Sequence, residues 1–341
     1  MYLRHLVFLF SSFFYTRSDT ECPLISSLNT TRTEFGFRLV QYNMEWLFMD
    51  YYAPMNCPGS GCPWKNETEA NTHIQYLAKV VSQLNPDIIN VCEVEGCDEL
   101  DLLRYQTING TEYTSYLKQG TDSATGQNVG LLTKWSPISN LTRTEERMTY
   151  PLEGSMCGYT GAPGTVGVSK HYITEYVFYG KSTLFIGLHL LAYPEDTTRC
   201  AEREAQAQII QNVVAEYIAN NRGEVIVLGD LNDFDGRVLD ANRNVPTSRV
   251  LDILKGLDGL HKGKYELRSS AEKIPEAERF SDWWDQNGDC VSTPNEFSMI
   301  DYVLATPFLF DKIDKAFVYH GYDEFCGKYD SDHYPLVVDF L

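Results

Sequence analysis

Polar residues that could do chemistry recur in this sequence at the ends of segments predicted to be strands. Carboxylate and amide oxygens are the ligands that Mg²⁺ and similar cations prefer, and imidazoles can move protons near neutral pH. These residues are Asn43, Glu93, His189, Asp230, Asn232, Asp301, Asp332 and His333. Each one alone could simply cap or turn the chain. Their recurrence predicts a shared site, because a layered α/β fold gathers its loops at its strand ends.

The hydrophobic pattern indicates the elements that must position these residues. FRLVQYNMEWLF is typical of a buried strand, and the helix after it places Ile74, Leu77, Ala78, Val81 and Leu84 on one face. Further strands are predicted at IINVCEV, YTSYLKQ, NVGLLTKWSPI, HYITEYVFYGKSTLFIGLHLL, EVIVLGDLNDF, SMIDYVLAT, KAFVYHG and YPLVVDFL, and further helices at DELDLLRYQ, residues 202–220 and SRVLDILKGL. Strands in two runs predict an α/β fold, a two-sheet sandwich with helices packed on the outside.

Composition limits the ways in which this protein could bind its ligands. The chain has 341 residues, a formal net charge of −19 and a pI near 4.7. Holding a polyanion on a broad basic surface depends on many Lys and Arg side chains, and this composition argues against it. Any phosphate chemistry would therefore need local positive charge, most simply a metal ion.

Two features of the sequence favour export. Residues 1–18 have a short basic start and an apolar run too short to span a bilayer, which is typical of a signal peptide; an apolar N-terminal strand or anchor is the alternative. Sequons at Asn29, Asn66, Asn109 and Asn140 indicate a glycosylated surface. We expect a secreted, extracellular protein with a single domain over residues 19–341 and no transmembrane segment.

Nine cysteines in an exported chain predict disulfides and leave one thiol over. Local spacing favours Cys57 with Cys62 and Cys92 with Cys97, and the more distant pairs Cys157 with Cys200 and Cys290 with Cys326 are further candidates. The CPGSGC segment is half of a zinc pattern without a second Cys/His pair, so zinc is not expected.

The order of these motifs resembles the endonuclease/exonuclease/phosphatase superfamily, whose fold is that of deoxyribonuclease I. The resemblance runs from about Phe37 to Leu341, through QYNMEWLF, INVCEVEG, VGLLTKWSPI, GLHLLAYPEDTTRCAEREAQ, VIVLGDLND, SMIDYVL and SDHYP. The GDxN and SDH elements are fairly specific in this order. The resemblance implies metal-assisted phosphoester hydrolysis.

It also implies a role for each strand-end residue. Asn43, Glu93 and Asp332 would hold Mg²⁺ or Mn²⁺, which neutralises a phosphoryl oxygen and the leaving oxyanion. Asp230 would orient or deprotonate the attacking water, while Asn232 would donate to the phosphate or the nucleophile.

The two histidines would act from opposite sides of the phosphate. His333, held by Asp301, would stabilise the transition state or transfer a proton, and His189 would donate a hydrogen bond.

Two further substrate-binding candidates lie near His189. Lys170 falls where family members place a basic phosphate contact, although a solvated strand lysine is an equal alternative. Gln127 and Asn128 stand where the deoxyribonuclease I branch has an acidic partner for its first histidine, and Asn128 is the second candidate. An amide in place of a carboxylate would leave His189 less basic.

A separate calcium site is expected in DQNGDCVSTPNE, residues 285–296. Asp285, Asn287, Asp289 and Glu296 match positions 1, 3, 5 and 12 of an EF-hand-type loop. Cys290 replaces the usual glycine at position 6, and an Asn-Gly turn fixed by a disulfide is the alternative.

Because the fold does not name a substrate, several functions remain open. Secretion, the NMEWLF segment and the calcium loop favour an endonuclease acting on DNA or RNA. A sphingomyelinase-like or small-molecule phosphodiesterase or phosphatase is the alternative, favoured by the acidic charge, and an inactive calcium-binding adhesion module is a third. GLHLLAYP lacks the Tyr-x-Pro-Asn pattern of abasic-site nucleases, and FSMIDYVL lacks the inositol 5-phosphatase pattern. The sequence indicates no stable protein partner and leaves the oligomeric state open.

Overall fold

The computed structural model describes residues 22, 36–49, 63–220, 222–285, 287–321 and 331–341. The α-helices are α1 Glu67–Leu84, α2 Cys97–Gln106, α3 Thr197–Ala219, α4 Val250–Leu254 and α5 Pro307–Phe310. Short 3₁₀ helices cover Gly110–Glu112, Ser270–Lys273, Glu276–Glu278 and Pro294–Glu296. The strands are β1 Phe37–Leu47, β2 Ile88–Val94, β3 Thr114–Leu117, β4 Asn128–Thr133, β5 Arg147–Tyr150, β6 Gly164–Gly167, β7 Lys170–Phe178, β8 Lys181–His189, β9 Glu224–Asp230, β10 Arg268–Ser269, β11 Asp282–Trp283, β12 Phe297–Ser298, β13 Asp301–Ala305, β14 Ile313–Val318 and β15 Leu336–Phe340.

Two mixed sheets form the centre of the molecule. The first sheet has six strands in the order β14-β15-β1-β2-β4-β3, and the second has five in the order β10-β13-β9-β8-β7. Only β1 with β2 and β8 with β9 pair in parallel within these sheets; the other neighbours are antiparallel. The predicted α/β sandwich of two sheets is confirmed.

Alternation along the strands of the first sheet decides which side chains face which layer. In β1, Leu39 belongs to the large core that joins the two sheets, whereas Val40 belongs to the core beneath α1 and α2. Ile88 and Ile89 divide in the same way in β2. Both faces are covered, so the strands read as nearly continuous apolar runs.

Helix α3 begins five residues before the predicted start at Glu202. The side chain of Asp196 accepts a hydrogen bond from Arg199 N at 2.8 Å and caps the helix. The cap satisfies a backbone donor that the first turn leaves unpaired. The prediction placed the start of the helix too late because it relied on the spacing of apolar residues, and the first turn is polar.

The disulfides correct one prediction and confirm another. Cys157 pairs with Cys200, as expected. The local pair Cys92 with Cys97 is wrong: Cys97 pairs with Cys22, and Cys92 is a buried free thiol. Cys92 faces the core between the sheets and Cys97 faces the core beneath the helices, so the first sheet separates them.

The remaining expectations on cysteines and on the N-terminus fall partly or wholly outside the described residues. Cys290 is disulfide-bonded, whereas Cys57, Cys62 and Cys326 lie outside the described part, as do residues 1–18. Within the described part, no helix combines the length and the apolar character needed to cross a bilayer.

Candidate active site

Strand register brings the predicted residues to one edge of the sandwich. In the second sheet His189 ends β8 directly beside Asp230, which ends the parallel strand β9. The antiparallel strand β13 begins at Asp301, which is paired with Asp230 on the other side. Three polar side chains that are far apart in the sequence therefore stand on adjacent strands.

A glycine permits the close strand approach at this edge. Gly229 has φ +152°, and a Cβ there would lie 1.9 Å from the Leu188 carbonyl oxygen. Only glycine fits between two strands at such a distance without moving the backbone. The glycine of the GDxN motif thus supports the position of Asp230 next to His189.

The first sheet is irregular near Asn43 and Glu93, two of the candidate metal ligands. The β1–β2 register shifts after the pair Asn43 and Cys92, and Glu45, Trp46 and Glu93 have positive φ values of 41°, 53° and 65°. The Glu93 carboxylate accepts a hydrogen bond from Trp46 N at 3.0 Å, which ties the two bulges together. Bulges redirect side chains, and strained non-glycine backbone is frequent at functional sites.

Asn43 lies at the centre of the cluster. Its Nδ2 donates to Asp230 Oδ2 at 3.0 Å and to Glu93 Oε1 at 3.3 Å, and lies 3.3 Å from His333 Nε2. Its Oδ1 accepts from Glu45 N at 3.1 Å. The amide nitrogen therefore faces the carboxylates, and the amide would have to turn over to offer its oxygen to a cation.

His333 is held by Asp301. The Nδ1 of His333 lies 2.7 Å from Asp301 Oδ2, and the Asp301 side chain is completely buried. Burial lowers the pKa of His333, but the charge of and hydrogen bond with Asp301, together with the charges of Asp332 and Asp230, outweigh it and raise the pKa well above its usual value. The protonated form of His333 is therefore favoured.

His189 has the opposite electrostatic environment. Its Nε2 lies 3.4 Å from Lys170 Nζ and 3.5 Å from Asp230 Oδ2. Burial, followed by the charges of Lys170 and His333, lowers the pKa of His189 well below its usual value. The Oε1 of Gln127 accepts from Lys170 at 3.2 Å rather than from the histidine. The lowered pKa favours the neutral form of His189 and comes from burial and Lys170 rather than from the amide at position 127 or 128.

The structure does not bring Asn128 into this cluster. Its Oδ1 accepts from Gly120 N at 2.7 Å, and its Nδ2 donates to the carbonyls of Val94, Glu95 and Gly126. The side chain joins segments of backbone and has no polar atom left for a substrate. Gln127, one residue earlier, is the one that contacts Lys170.

Asn232 lies beside Asp230 in a left-handed turn with φ 50°. Its backbone N–H donates to Asp230 Oδ1 at 2.9 Å, and its Nδ2 donates to the Leu190 carbonyl at 3.2 Å. The asparagine thus fixes one oxygen of the Asp230 carboxylate, and the turn holds its own amide close to the site.

Two acidic residues of the site were missed in the sequence. Glu45 follows Asn43 by two positions and accepts from Asp332 N through its Oε2 at 3.2 Å. Asp282 in β11 lies 3.6 Å from His333 Nε2. Glu45 could have been found, because residues two positions apart in a strand point to the same face and Asn43 was already a candidate. Asp282 could not, because the two-residue strand β11 is too short to show an alternating pattern.

These carboxylates fit a divalent cation. Ligand atoms of Asp282, Asp332 and His333 lie within 4.8 Å of one another. Burial, and then neighbouring carboxylates, raise the pKa of Glu45 well above its usual value, while burial first, with Asp282 and Glu93 adding to it, raises the pKa of Asp332 to about 7. A hard cation stabilises half-buried oxygen donors that repel one another.

The expected calcium loop is arranged differently. Its side-chain oxygens accept hydrogen bonds from nearby backbone N–H groups: Asp285 from Gly288 and Cys290, Asn287 from Asp289, and Asp289 from Val291. Glu296 accepts from Thr293 N and from the Trp283 indole instead. None of the loop's carboxylates joins a group of metal-capable ligands in the described part of the chain. The hydrogen bonds within the loop form the Asn-Gly turn, and the calcium site stays a prediction.

Comparison with known proteins agrees with this geometry. The model of the Endonuclease/Exonuclease/phosphatase family matches residues 40–333. Similar solved structures include a mannosyl-6-phosphatase from Bacteroides thetaiotaomicron at 14% identity and TM-score 0.53, covering 89% of this chain and 99% of that chain. A truncated TDP2 from Caenorhabditis elegans has 18% identity and TM-score 0.50, covering 90% and 98%. No curated protein matches in sequence.

At these identities the solved structures establish the fold alone, while the family match spans most of the chain and all the strand-end residues from Asn43 to His333. The site combines several carboxylates, the buried carboxylate of Asp230 among them, with the two histidines His189 and His333. The chain belongs to the endonuclease/exonuclease/phosphatase family of metal-dependent phosphoester hydrolases.

Proposed function

We propose that this protein is a divalent-metal-dependent phosphodiesterase that hydrolyses nucleic acid with water as the nucleophile. The observation that carries the proposal is the environment of Asp230 Oδ2. This atom lies 3.0 Å from Asn43 Nδ2, 3.5 Å from His189 Nε2 and 3.9 Å from His333 Nε2. A carboxylate ringed by polar groups from separate strands can orient a water against a phosphorus atom.

Asp230 is suited to accept a proton from that water. Burial, and after it the charge of Asp301, raises the pKa of Asp230 to about 8. A general base works best when its pKa lies near the operating pH. Asn232 holds Oδ1 of this carboxylate through its backbone N–H, so Oδ2 is the oxygen that would accept the proton from the attacking water.

The two histidines and Lys170 would bind the phosphoryl group. His333 carries a positive charge and can stabilise charge on phosphate oxygens or donate a proton to the leaving oxygen. Neutral His189 can donate a hydrogen bond, and the Lys170 ammonium beside it supplies charge.

Asn43, Glu93 and Asp332 would hold Mg²⁺ or Mn²⁺, with Glu45 and Asp282 at the edge of the same group. A divalent cation bound there neutralises charge on the phosphoryl and leaving oxygens. The protein's part is to keep these oxygen donors crowded together despite their repulsion.

A small or lipid-linked phosphoester is the second candidate substrate. Lys170 is nearly fully buried and lies against His189, while most other charged groups around the site are acidic. One buried ammonium suits a single phosphate group, whereas nucleic acid also offers flanking phosphates that usually meet several cations. The similar structure named mannosyl-6-phosphatase belongs to a protein that, by its name, acts on a small phosphate ester.

An assay of purified protein with plasmid DNA, RNA, sphingomyelin and bis-p-nitrophenyl phosphate, each with Mg²⁺ and with EDTA, tests the proposal. We expect metal-dependent nicking of DNA or cleavage of RNA, abolished in Asp230→Asn and retained in the control Asp314→Asn, which alters an exposed carboxylate in β14. Turnover of only sphingomyelin or the small ester would replace nucleic acid by the second candidate. No metal-dependent turnover of any substrate would refute the proposal.

We further propose that the protein is exported after removal of residues 1–18 and acts as one domain over residues 19–341. Cys22–Cys97 and Cys157–Cys200 suit an oxidising compartment, and the sequon residues Asn66, Asn109 and Asn140 are exposed. After expression in a eukaryotic secretory host, the protein should be found in the culture medium, and its mass should fall on deglycosylation. Retention inside the cell without glycans would contradict this proposal.

A further inference from the structure

A chain of buried side-chain hydrogen bonds crosses the space between the two sheets and ends at the active site. Tyr172 in β7 donates from its hydroxyl to Asn90 Oδ1 at 2.7 Å. Asn90 in β2 donates to Gln41 Oε1 at 2.5 Å, and Gln41 in β1 donates to Asp301 Oδ1 at 2.9 Å. All four side chains have no solvent exposure.

Every donor in this chain points toward Asp301. Burial raises the pKa of Tyr172 far above its usual value, so its hydroxyl keeps its proton. Each amide accepts from the previous member through its oxygen and donates to the next through its nitrogen. The aligned dipoles reinforce one another in a low-dielectric interior and favour negative charge on the final carboxylate.

The core is shaped to admit this chain. A Cβ at Gly187 in β8 would lie 2.3 Å from Asn90 Oδ1 and 2.4 Å from the Tyr172 ring. The missing side chain therefore leaves room for the bond between Tyr172 and Asn90. Apolar residues would fill the same space without the cost of burying three polar groups.

The other oxygen of Asp301 is also fully engaged. Asp301 Oδ2 accepts from Ser281 Oγ at 2.9 Å and pairs with His333 Nδ1 at 2.7 Å. With Oδ1 held by Gln41 and Oδ2 held by Ser281, the carboxylate plane cannot rotate freely. The plane of Asp301 then fixes the direction of the His333 ring.

We propose that Gln41, Asn90 and Tyr172 are positioning residues that hold the Asp301 carboxylate and thereby aim His333 Nε2 at the reacting phosphate. The inference deepens the proposed phosphodiesterase function and rests on it for its catalytic consequence. These residues touch no substrate. They act through Asp301, by hydrogen bonds that run between the two sheets.

Tyr172→Phe is the sharpest variant, because it removes one hydroxyl at the end of the chain most distant from the site. Tyr176→Phe is the matched control: Tyr176 is buried in the same strand and on the same face, and its hydroxyl is not a member of the chain. Tyr172→Phe should lose more melting temperature than Tyr176→Phe, because it leaves Asn90 Oδ1 without a donor, whereas the Tyr176 hydroxyl has no hydrogen-bond partner among the described residues; both variants are therefore assayed well below their melting temperatures.

Kinetics should then separate the two variants. Tyr172→Phe should lower kcat about tenfold, the change expected for one lost hydrogen bond, with KM changed less than twofold. Tyr176→Phe should leave kcat within twofold of wild type at the same assay temperature. Gln41→Met, which breaks the chain at Asp301 itself, should lower kcat further. Equal kcat for Tyr172→Phe and Tyr176→Phe would overturn the inference.

A measurement without substrate keeps this test distinct from that of the proposed function. In ¹⁵N-histidine-labelled protein, the Nδ1 proton of His333, assigned by its loss in His333→Gln, should exchange faster in Tyr172→Phe than in wild type and Tyr176→Phe. If the wild type turns over no phosphoester but this difference appears, the proposed function fails and the positioning chain stands. If the exchange rate of this proton were unchanged in both Tyr172→Phe and Gln41→Met, the positioning role of the hydrogen-bonded residues would be refuted, even in an active enzyme.

Discussion

The two sides of the active site contain the same residue type with pKa values shifted in opposite directions. His333 and His189 are both buried, and their Nε2 atoms lie 3.9 Å and 3.5 Å from the same Asp230 oxygen. Burial alone lowers the pKa of both. The charge of the adjacent residue makes the difference between them: Asp301 raises the pKa of His333, and Lys170 lowers the pKa of His189 further.

This difference divides the catalytic work. A charged histidine can give a proton or stabilise a phosphate oxygen electrostatically, whereas a neutral one can only share a hydrogen bond. The positive charge on the His189 side comes from Lys170 instead. The site would therefore have a cation on each side: a protonated imidazole on one, and on the other the Lys170 ammonium, which lies 3.8 Å from Asp122 Oδ2.

The largest expected effect is on the His333 side. His333→Gln should lower kcat by about 10²- to 10⁴-fold, because the charged acid and its proton are both lost. Steady-state kinetics on the substrate found in the assay would measure it, with melting temperature as the check on folding. A loss below tenfold in a folded variant would mean that His333 is not the charged catalyst.

Loss of Lys170 should have a smaller effect. Lys170→Met removes a charged hydrogen bond and should lower kcat/KM by about 10- to 100-fold, mainly through KM. Lys181→Met, at the exposed start of β8, is the control and should leave kinetics unchanged. If Lys170→Met kept wild-type KM, the lysine would be structural rather than a phosphate contact.

His189→Gln should have the mildest kinetic effect. An amide can still donate a hydrogen bond, so kcat should fall by only about tenfold. The contrast with His333→Gln is the direct test of the two protonation states, and equal losses in both variants would contradict it.

The pH dependence of stability should differ in sign between the two histidines, by a few degrees at most. The raised pKa of His333 gives stability that is present below its unfolded pKa of about 6.5 and lost as pH rises through the higher folded value. The lowered pKa of His189 makes its contribution disappear as pH falls below about 6.5. In EDTA, the melting temperature of wild type relative to His333→Gln should fall from pH 6.5 to 9. Relative to His189→Gln it should fall from pH 6.5 to 5, and a shared sign would refute the assignment.

Much of this arrangement could be predicted from the sequence, and the failures have specific causes. Asp230, Asp301 and His189 stood at strand ends that register brings together, so the fold and the cluster followed from one pattern. Asp282 was missed because its strand has only two residues. The calcium pattern in residues 285–296 stays a prediction: its side-chain oxygens accept hydrogen bonds from backbone N–H groups of the same loop, which Asp and Asn side chains often do without a cation.

The sequence alone determined the layers and the residues available for chemistry, because alternating apolar residues and strand-end motifs are contained within short contiguous segments. Only the tertiary structure decided that Gln127 rather than Asn128 contacts Lys170, that Cys92 and Cys97 lie on opposite sides of a sheet, and which histidine has the raised pKa. Those outcomes depend on distances between residues far apart in the chain. A pKa or a disulfide follows from such distances, and local pattern does not contain them.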